Sequence, residues 1–405
     1  MKKLQIFSWC LYDFANSSYS AVIATVVFPV YYVNAIVGNE AGLGDMWWGR
    51  AIALSMAAVA VTSPFAGGMA GYGGLRKTLL AAYTLMCVAC VALFSTLGHG
   101  MVLEGFMLVF LANVGMEGAL VFYNSFLNDI AGDDHRGRVS AWGFGLGYAG
   151  SIAALLIALP LVKAGAYSAL WPTVAVFFLV FSLPAFLFLP GDEKRSGLRR
   201  AALGGFTHTV KNLRVLWRRK SVRRFLTAYF IYEDGVNTVI VFSGIFAATT
   251  LGYSQEELIY IFLAVQSSAL AGAFLMARPI DRWGARNVVM LSLVMWSVVT
   301  VASYFIYSKW AFAAVAATAG LGLGTVQAAS RALFAGFIPR GMESEYFGVY
   351  SLLGKTSSII GPVMFGALSA YFSSQRPAIL AVTAFFAVGL AILFTVDGSG
   401  DAGNT

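Results

Sequence analysis

The sequence predicts an all-α integral membrane protein, with twelve transmembrane helices arranged as two six-helix bundles. Three observations carry this. Of the 405 residues, 59% are hydrophobic and only 11% are charged, against roughly 25% charged in ordinary soluble domains. The mean hydropathy of +0.75 leaves too little polar surface for a water-soluble fold. Apolar runs of membrane-spanning length recur twelve times, and features of the first six return in the second six.

A helix needs roughly 20 apolar residues to cross a bilayer. Such runs occupy about 6–37, 47–69, 78–97, 101–127, 139–161 and 166–189, then 225–249, 256–277, 287–307, 310–335, 346–371 and 377–396. None shows the ten-residue alternation of a membrane β-barrel. The opening "MKKLQIF" resembles a signal peptide, but Asp13 and Asn16 interrupt the apolar core such a leader requires. The segment therefore reads as a retained first helix. Residues 192–224 break the pattern with a basic linker, in which Phe206, Val210, Leu213 and Trp217 recur at helical spacing. That pattern suggests an amphipathic helix on the membrane surface. The expected organisation is a first bundle over 1–191, the linker at 192–224, a second bundle over 225–396 and a short cytoplasmic tail at 397–405.

Charge fixes the expected orientation. Of the 27 Lys and Arg residues, 21 fall on the side that holds both termini. The positive-inside rule makes that side cytoplasmic, and for a bacterial chain the membrane is then the inner one. The net charge of +8 follows from this asymmetry and gives no reason to expect nucleic acid. Cys87 and Cys90 form a lone CxxC and Cys10 stands apart, while His99, His135 and His208 lie in loops. No P-loop, HExxH motif, nucleophile elbow or metal-spaced cluster occurs. No enzymatic activity, metal, cofactor or ATP-driven mechanism is expected.

The two halves repeat in parallel. "GGMAGYGGLRK" (67–77) aligns with "ARPIDRWGARN" (277–287), so that Gly74 matches Gly284 and Arg76 matches Arg286. "DFANS" (13–17) aligns with "DGVNT" (234–238), and "SAWG" (140–143) with "SLLG" (351–354), which carries Gly150 onto Gly361. Two bundles repeated this way are one solution to alternating access. The loops resemble the major facilitator pattern G-x-x-x-D-[RK]-x-G-[RK]-[RK]. "WCLYDFANSSYSAVIATVVFPVYY", "YFIYEDGVNTVIVF", "GTVQAASRALFAGFIPRG" and "EYFGVYSLLGKTSSIIGPVMFG" resemble the vacuole-effluxer-like branch of that superfamily. The resemblance implies the major facilitator fold and secondary transport; a yeast vacuolar member exports amino acids. It also implies gating roles for Gly67, Gly74, Arg76, Asp281, Arg282, Gly284 and Arg286. One departure stands out: the first loop has Gly71 where the pattern has Asp, whereas Asp281 keeps it in the second.

Six ionisable residues fall well inside the runs: Asp13, Glu117, Glu233, Asp234, Arg331 and Lys355. Each costs at least about 2.5–3.5 kcal/mol at mid-bilayer when it faces lipid, so each should face protein or a wet cavity. At about 1.5 Å per residue, Asp13, Asp234, Arg331 and Lys355 each lie about 13–15 Å from a basic or acidic end residue, in one slab. In the superfamily the chain resembles, helices 1, 4, 7 and 10 line a central cavity, and five of the six fall on these. Asn16, Asn124, Asn237 and Gln327 add neutral hydrogen-bonding groups. The expected substrate- or ion-binding set is Asp13, Asn16, Glu117, Asn124, Asp234, Asn237, Gln327, Arg331 and Lys355. Glu233 points about 100° away from Asp234 and is the weaker candidate. Two readings stand open at this point. The acids either bind a small polar solute and a coupling ion, H+ or Na+, or latch to Arg331 and Lys355 as structural pairs. The expected protein is a monomeric permease for an amino acid or related metabolite. Alternatives are a drug or metabolite efflux pump of the same fold, or a non-transporting receptor or lipid-handling protein.

Overall fold

Hydrophobic run after hydrophobic run forms helix, because a backbone inside a bilayer must satisfy its own N–H and C=O groups. The computed structural model describes residues 2–38, 43–192, 217–357 and 360–396, and it is helical with no strand among them. In chain order the main helices are α1 (Lys2–Ser18), α2 (Leu43–Gly73), α3 (Arg76–Leu93), α4 (Val102–Ser125), α5 (Arg136–Lys163) and α6 (Tyr167–Phe188). There follow α7 (Lys220–Leu251), α8 (Gln255–Trp283), α9 (Ala285–Tyr304), α10 (Lys309–Gly336), α11 (Glu343–Thr356), α12 (Ile360–Phe372) and α13 (Gln375–Leu393).

Among the described residues ten helices are long and apolar enough to span a membrane, and a bent pair makes an eleventh. That pair is Lys2–Val26 with Phe28–Val37, bent by 41°. Pro29 supplies the cause, since its ring displaces the preceding turn and it has no N–H to continue the ladder. Two π-helical stretches, Tyr19–Val26 and Tyr32–Val37, flank the bend. The predicted run 346–371 is taken up by α11 and α12 together. α7 begins at Lys220 and so takes in the last residues of the basic linker. The amphipathic pattern from Phe206 to Leu213 lies outside the described residues, as does the tail.

The chain forms two contact units. The first holds the described residues up to Ala131, from Leu146 to Asp192, and from Arg340 to Leu352. The second holds Gly132–Gly145, Trp217 to Pro339, and the described residues from Leu353 onward. Each unit thus includes a segment from the opposite half of the sequence.

The first unit has an aromatic core. Phe28 stacks on Phe94 with centroids 4.0 Å apart, and Trp171 meets Phe28 edge-on at 5.1 Å. In the second unit, small residues bring α8 and α10 together. A Cβ at Gly324 or Gly272 of the α8–α10 contact would strike the carbonyls of Ala269 or Leu321. Such backbone-to-backbone packing is how membrane helices associate where no hydrophobic effect drives them together.

Candidate functional site

Asp13 owes its surroundings to the periodicity of α1. Trp9, Tyr12 and Asp13 lie on neighbouring faces, all buried. Trp9 donates its indole N–H to the Tyr123 carbonyl at 2.8 Å and stacks on the Tyr123 ring at 4.5 Å. Tyr12 stacks on the same ring at 5.1 Å and shares a hydrogen bond with Thr84 at 2.7 Å. Thus fixed, the Tyr123 hydroxyl donates to Asp13 Oδ2 at 3.0 Å, and Asn16 Nδ2 reaches Oδ1 at 3.4 Å. Gly147 of α5 packs beside this group, where a Cβ would stand 3.0 Å from Ser17 Oγ and 3.5 Å from Asp13 Cγ. Asp13 is 7% exposed, so lipid does not solvate it. Glu117 and Asn124, on α4, are half-buried. Glu117 lies within electrostatic range of Tyr19 and Cys87.

The repeat-related Asp234 is treated differently. It is fully buried, and its two oxygens accept the backbone N–H of Gly361 at 3.0 and 2.9 Å. Gly361 is the second residue of α12, whose first-turn N–H groups have no partner within the helix and favour an anion. Only a glycine fits, since a Cβ would stand 2.8 Å from Asp234 Oδ1 and strike Thr238 Oγ1. Asn237 is half-buried on α7.

Arg331 is 2% exposed and clasped by α5. Its Nε donates to Ser140 Oγ at 2.9 Å and a terminal nitrogen donates to the Ser140 carbonyl at 2.6 Å. The guanidinium lies over the Phe144 ring, 4.0 Å from its centroid. Ser140 Oγ in turn donates to the Ala328 carbonyl at 2.9 Å. One turn away on α10, Gln327 Nε2 donates to Glu233 Oε1 at 3.0 Å, and Lys355 lies within electrostatic range of that carboxylate. In the second unit the structure therefore brings Gln327, Lys355 and Glu233 together. In the sequence Glu233 reads as the weaker candidate, because its angular position on the helix differs from that of Asp234. No pattern in the chain placed Ser140 and Phe144 under Arg331, although Ser140 opens the repeated S-x-x-G segment.

The loop motifs form two further clusters. In the first unit Arg76 makes ion pairs with Asp129 and Asp192, each at 2.8 Å. Lys77 Nζ donates to the Leu187 and Leu189 carbonyls at the end of α6. The repeat mate of Arg76, Arg286, likewise donates to the Leu393 and Phe394 carbonyls at the end of α13. Both are cations at helix C-termini, where exposed carbonyls favour them. Gly74 and Gly284 hold φ of +63° and +85°, values that favour glycine. Arg282 is exposed.

The asymmetric position resolves in detail. In the second unit Asp281 accepts the backbone N–H of Arg138 at 3.1 Å and pairs with its Nε at 3.4 Å. A cavity of about 240 Å³ opens beside it, lined in part by Arg136, Gly284 and Phe337. In the first unit, α2 meets the start of α11. A Cβ at Gly67 would strike the Ser344 carbonyl, and one at Gly71 would stand 3.5 Å from Glu345 Oε1. The acid in this unit comes from α11's own first turn, where Glu343 and Glu345 are both buried. Burial pushes the Glu343 carboxyl above its ordinary range, against hydrogen bonds from backbone N–H groups.

Long apolar helices in two units, with ionisable groups buried among them, are those of a multi-pass membrane protein, and its fold is the major facilitator fold. The fold is shared with the human organic anion transporter MFSD10 (TETRAN), at a TM-score of 0.75 and 14% identity, covering 97% of this chain and 98% of that one. The E. coli fucose:proton symporter FucP is similar at a TM-score of 0.69 and 13% identity, covering 98% of each chain. A family model described as "Vacuole effluxer Atg22 like" matches residues 50–401, and the chain belongs to that family. It is similar to the uncharacterized MFS-type transporter YxiO of Bacillus subtilis strain 168, 29% identical over 95% of this chain and 93% of that protein. Autophagy-related protein 22-1 of Penicillium rubens is 26% identical over 65% of this chain, which spans half of that longer protein.

Proposed function

We infer that the protein is a secondary transporter that carries a small polar solute across the cytoplasmic membrane by alternating access. In this reading both termini are cytoplasmic and the halves 1–191 and 225–396 move as six-helix bundles. The observation that carries the reading is the set of charged groups buried in membrane helices: Asp13 on hydroxyl and amide donors, Asp234 on a helix N-terminus, Arg331 on a serine and a ring. Groups so costly in a bilayer are retained where they serve a solute or ion path. Acids and bases at one depth suit a zwitterionic or acidic solute, and an amino acid or related metabolite is the favoured class. A coupling proton has support from four acids against two bases well inside the apolar runs, and from the fucose:proton symporter among the structural neighbours. Sodium is the second choice. Asp13, Asn16, Glu117, Asn124, Asp234, Asn237, Gln327, Arg331 and Lys355 form the proposed binding set.

The test begins with thermal stabilisation of the purified protein across metabolite classes. A solute at a hundredfold excess over its Kd should add about 2.7 kcal/mol. The stabilising solute is then offered to proteoliposomes under an imposed pH gradient, with and without sodium. Accumulation that follows the pH gradient is the expected result. Accumulation that needs sodium and ignores pH would overturn proton coupling. If no solute of any class either stabilises the protein or enters, the transporter reading is lost.

A further inference from the structure

Glu233 is 7% exposed in the middle of α7. Gln327 Nε2 donates to its Oε1 at 3.0 Å from α10, and Lys355 lies within electrostatic range on α11. Of the other titratable groups on the surrounding helices, Tyr229 stands near, its hydroxyl beside Gly354 of α11, and the rest named here are engaged or remote. Arg331 of α10 is clasped by Ser140, and Asp234 of α7 by Gly361. Tyr232 of α7 shares a hydrogen bond with Ser330 at 2.6 Å, and Tyr229 lies one turn from Glu233. α12 carries only Tyr371, α13 only Arg376 in its first turn, and α8 carries its charges and Tyr260 near its two ends.

An ionised carboxylate in a membrane helix is costly unless a counter-charge and hydrogen bonds compensate it. Glu233 has two compensated states. Ionised, it accepts the Gln327 N–H and has Lys355 within electrostatic range as its counter-charge. Protonated, it can donate its O–H to the same side chain, because an amide presents donor and acceptor and a flip exchanges them. Lys355 is then released to another anion. Asp234 lacks this freedom, for the Gly361 backbone N–H can only donate and offers a protonated carboxyl no acceptor.

We propose that Glu233 is the proton-binding residue of the transport cycle, with Gln327 as its positioning residue and Lys355 as the counter-charge that decides when the proton binds. The proposal rests on the transporter reading above and places the coupling proton on a residue outside the proposed binding set. An O–H bond forms with a proton from water on one side of the membrane and breaks to release it on the other; no oxidation or reduction is involved.

The test is an equilibrium one and needs no solute. Infrared difference spectra of the purified full chain in lipid nanodiscs, taken as the buffer is acidified, report protonated carboxyl groups through their C=O stretch. The wild type should gain a band that Glu233→Gln lacks and that Glu104→Gln, at a span end, retains. Lys355→Met should move its midpoint to a proton concentration lower by about tenfold or more, the equivalent of about one pH unit. Lys355→Arg should hold it near the wild-type position. If Glu233→Gln fails to fold, the two Lys355 variants decide the matter. A full set of bands in folded Glu233→Gln, or an unmoved midpoint in Lys355→Met, would overturn the proposal. Because no transport is measured, failure of the transporter reading would show separately, in the metabolite screen.

Discussion

At the residue scale, the buried charges are each held by groups chosen for geometry. Arg331 uses the planarity of its guanidinium twice, forking to Ser140 and lying flat on Phe144. Lysine cannot reproduce either contact. Ser140→Ala should cost about 1.5–3 kcal/mol, the range for hydrogen bonds to charged groups. Arg331→Lys should cost at least as much, both read from thermal unfolding in detergent. Glu343 offers a pH signature. Burial raises its carboxyl in the folded protein, so the folded state prefers the protonated form. The stabilisation is complete below the unfolded value of about 4.3 and is lost as pH rises through the folded one. The melting temperature should therefore decline with rising pH across that window, and more steeply in the wild type than in Glu343→Gln. Parallel slopes in the two proteins would count against this assignment.

At the scale of elements, helices approach where glycine removes the side chain. Gly361 is needed because its own N–H must reach Asp234 and a Cβ would strike Thr238. Gly361→Ala should cost about 1–3 kcal/mol as overpacking. Gly366, one and a half turns along the same helix, meets nothing within 4 Å. There the same change should gain about 0.5–1 kcal/mol from helix propensity. Equal effects at the two sites would show that propensity rather than contact governs α12. The start of α11 gives a second case. Gly71→Asp would set a carboxylate close to that of Glu345. Two like charges at about 4 Å repel by about 1 to 4 kcal/mol, depending on how much water screens them. Gly71→Asp should destabilise the protein by an amount in that range, and Glu345→Gln should restore most of it. Loss without rescue would show that the cost is steric.

At the scale of the whole molecule, the repeat imposes topology. Arg282 is exposed near the start of α9, and Tyr307, 78% exposed, follows its end. The 20 residues of α9 span about 30 Å, the thickness of a bilayer core. Single cysteines at these two positions, in a background with Cys10, Cys87 and Cys90 replaced, should react with a membrane-impermeant reagent from opposite faces. The proposed orientation places Arg282→Cys inside and Tyr307→Cys outside. Reaction of Arg282→Cys in intact cells would reverse it.

Composition, hydropathy and repeated motifs determined by themselves that this chain is an all-helical membrane protein of duplicated design. Those properties follow from the cost of burying polar backbone in lipid, which every residue of a span must meet. The buried charges were legible for the same reason: an acid in an apolar run stands out wherever it points. Only tertiary structure decided what each charge meets. Asp13 and Asp234 occupy matching positions in the repeat, yet one rests on a tyrosine braced by Trp9 and the other on the first turn of α12. Glu233 reads in the sequence as the lesser neighbour of Asp234, and the fold brings Gln327 and Lys355 to it from 94 and 122 positions away. The missing aspartate at Gly71 is answered by Glu345 from the other half of the chain. Periodicity fixes which face of a helix a residue lies on, but hydrogen bonds and charges act over a few ångströms, and contacts at that range belong to packing.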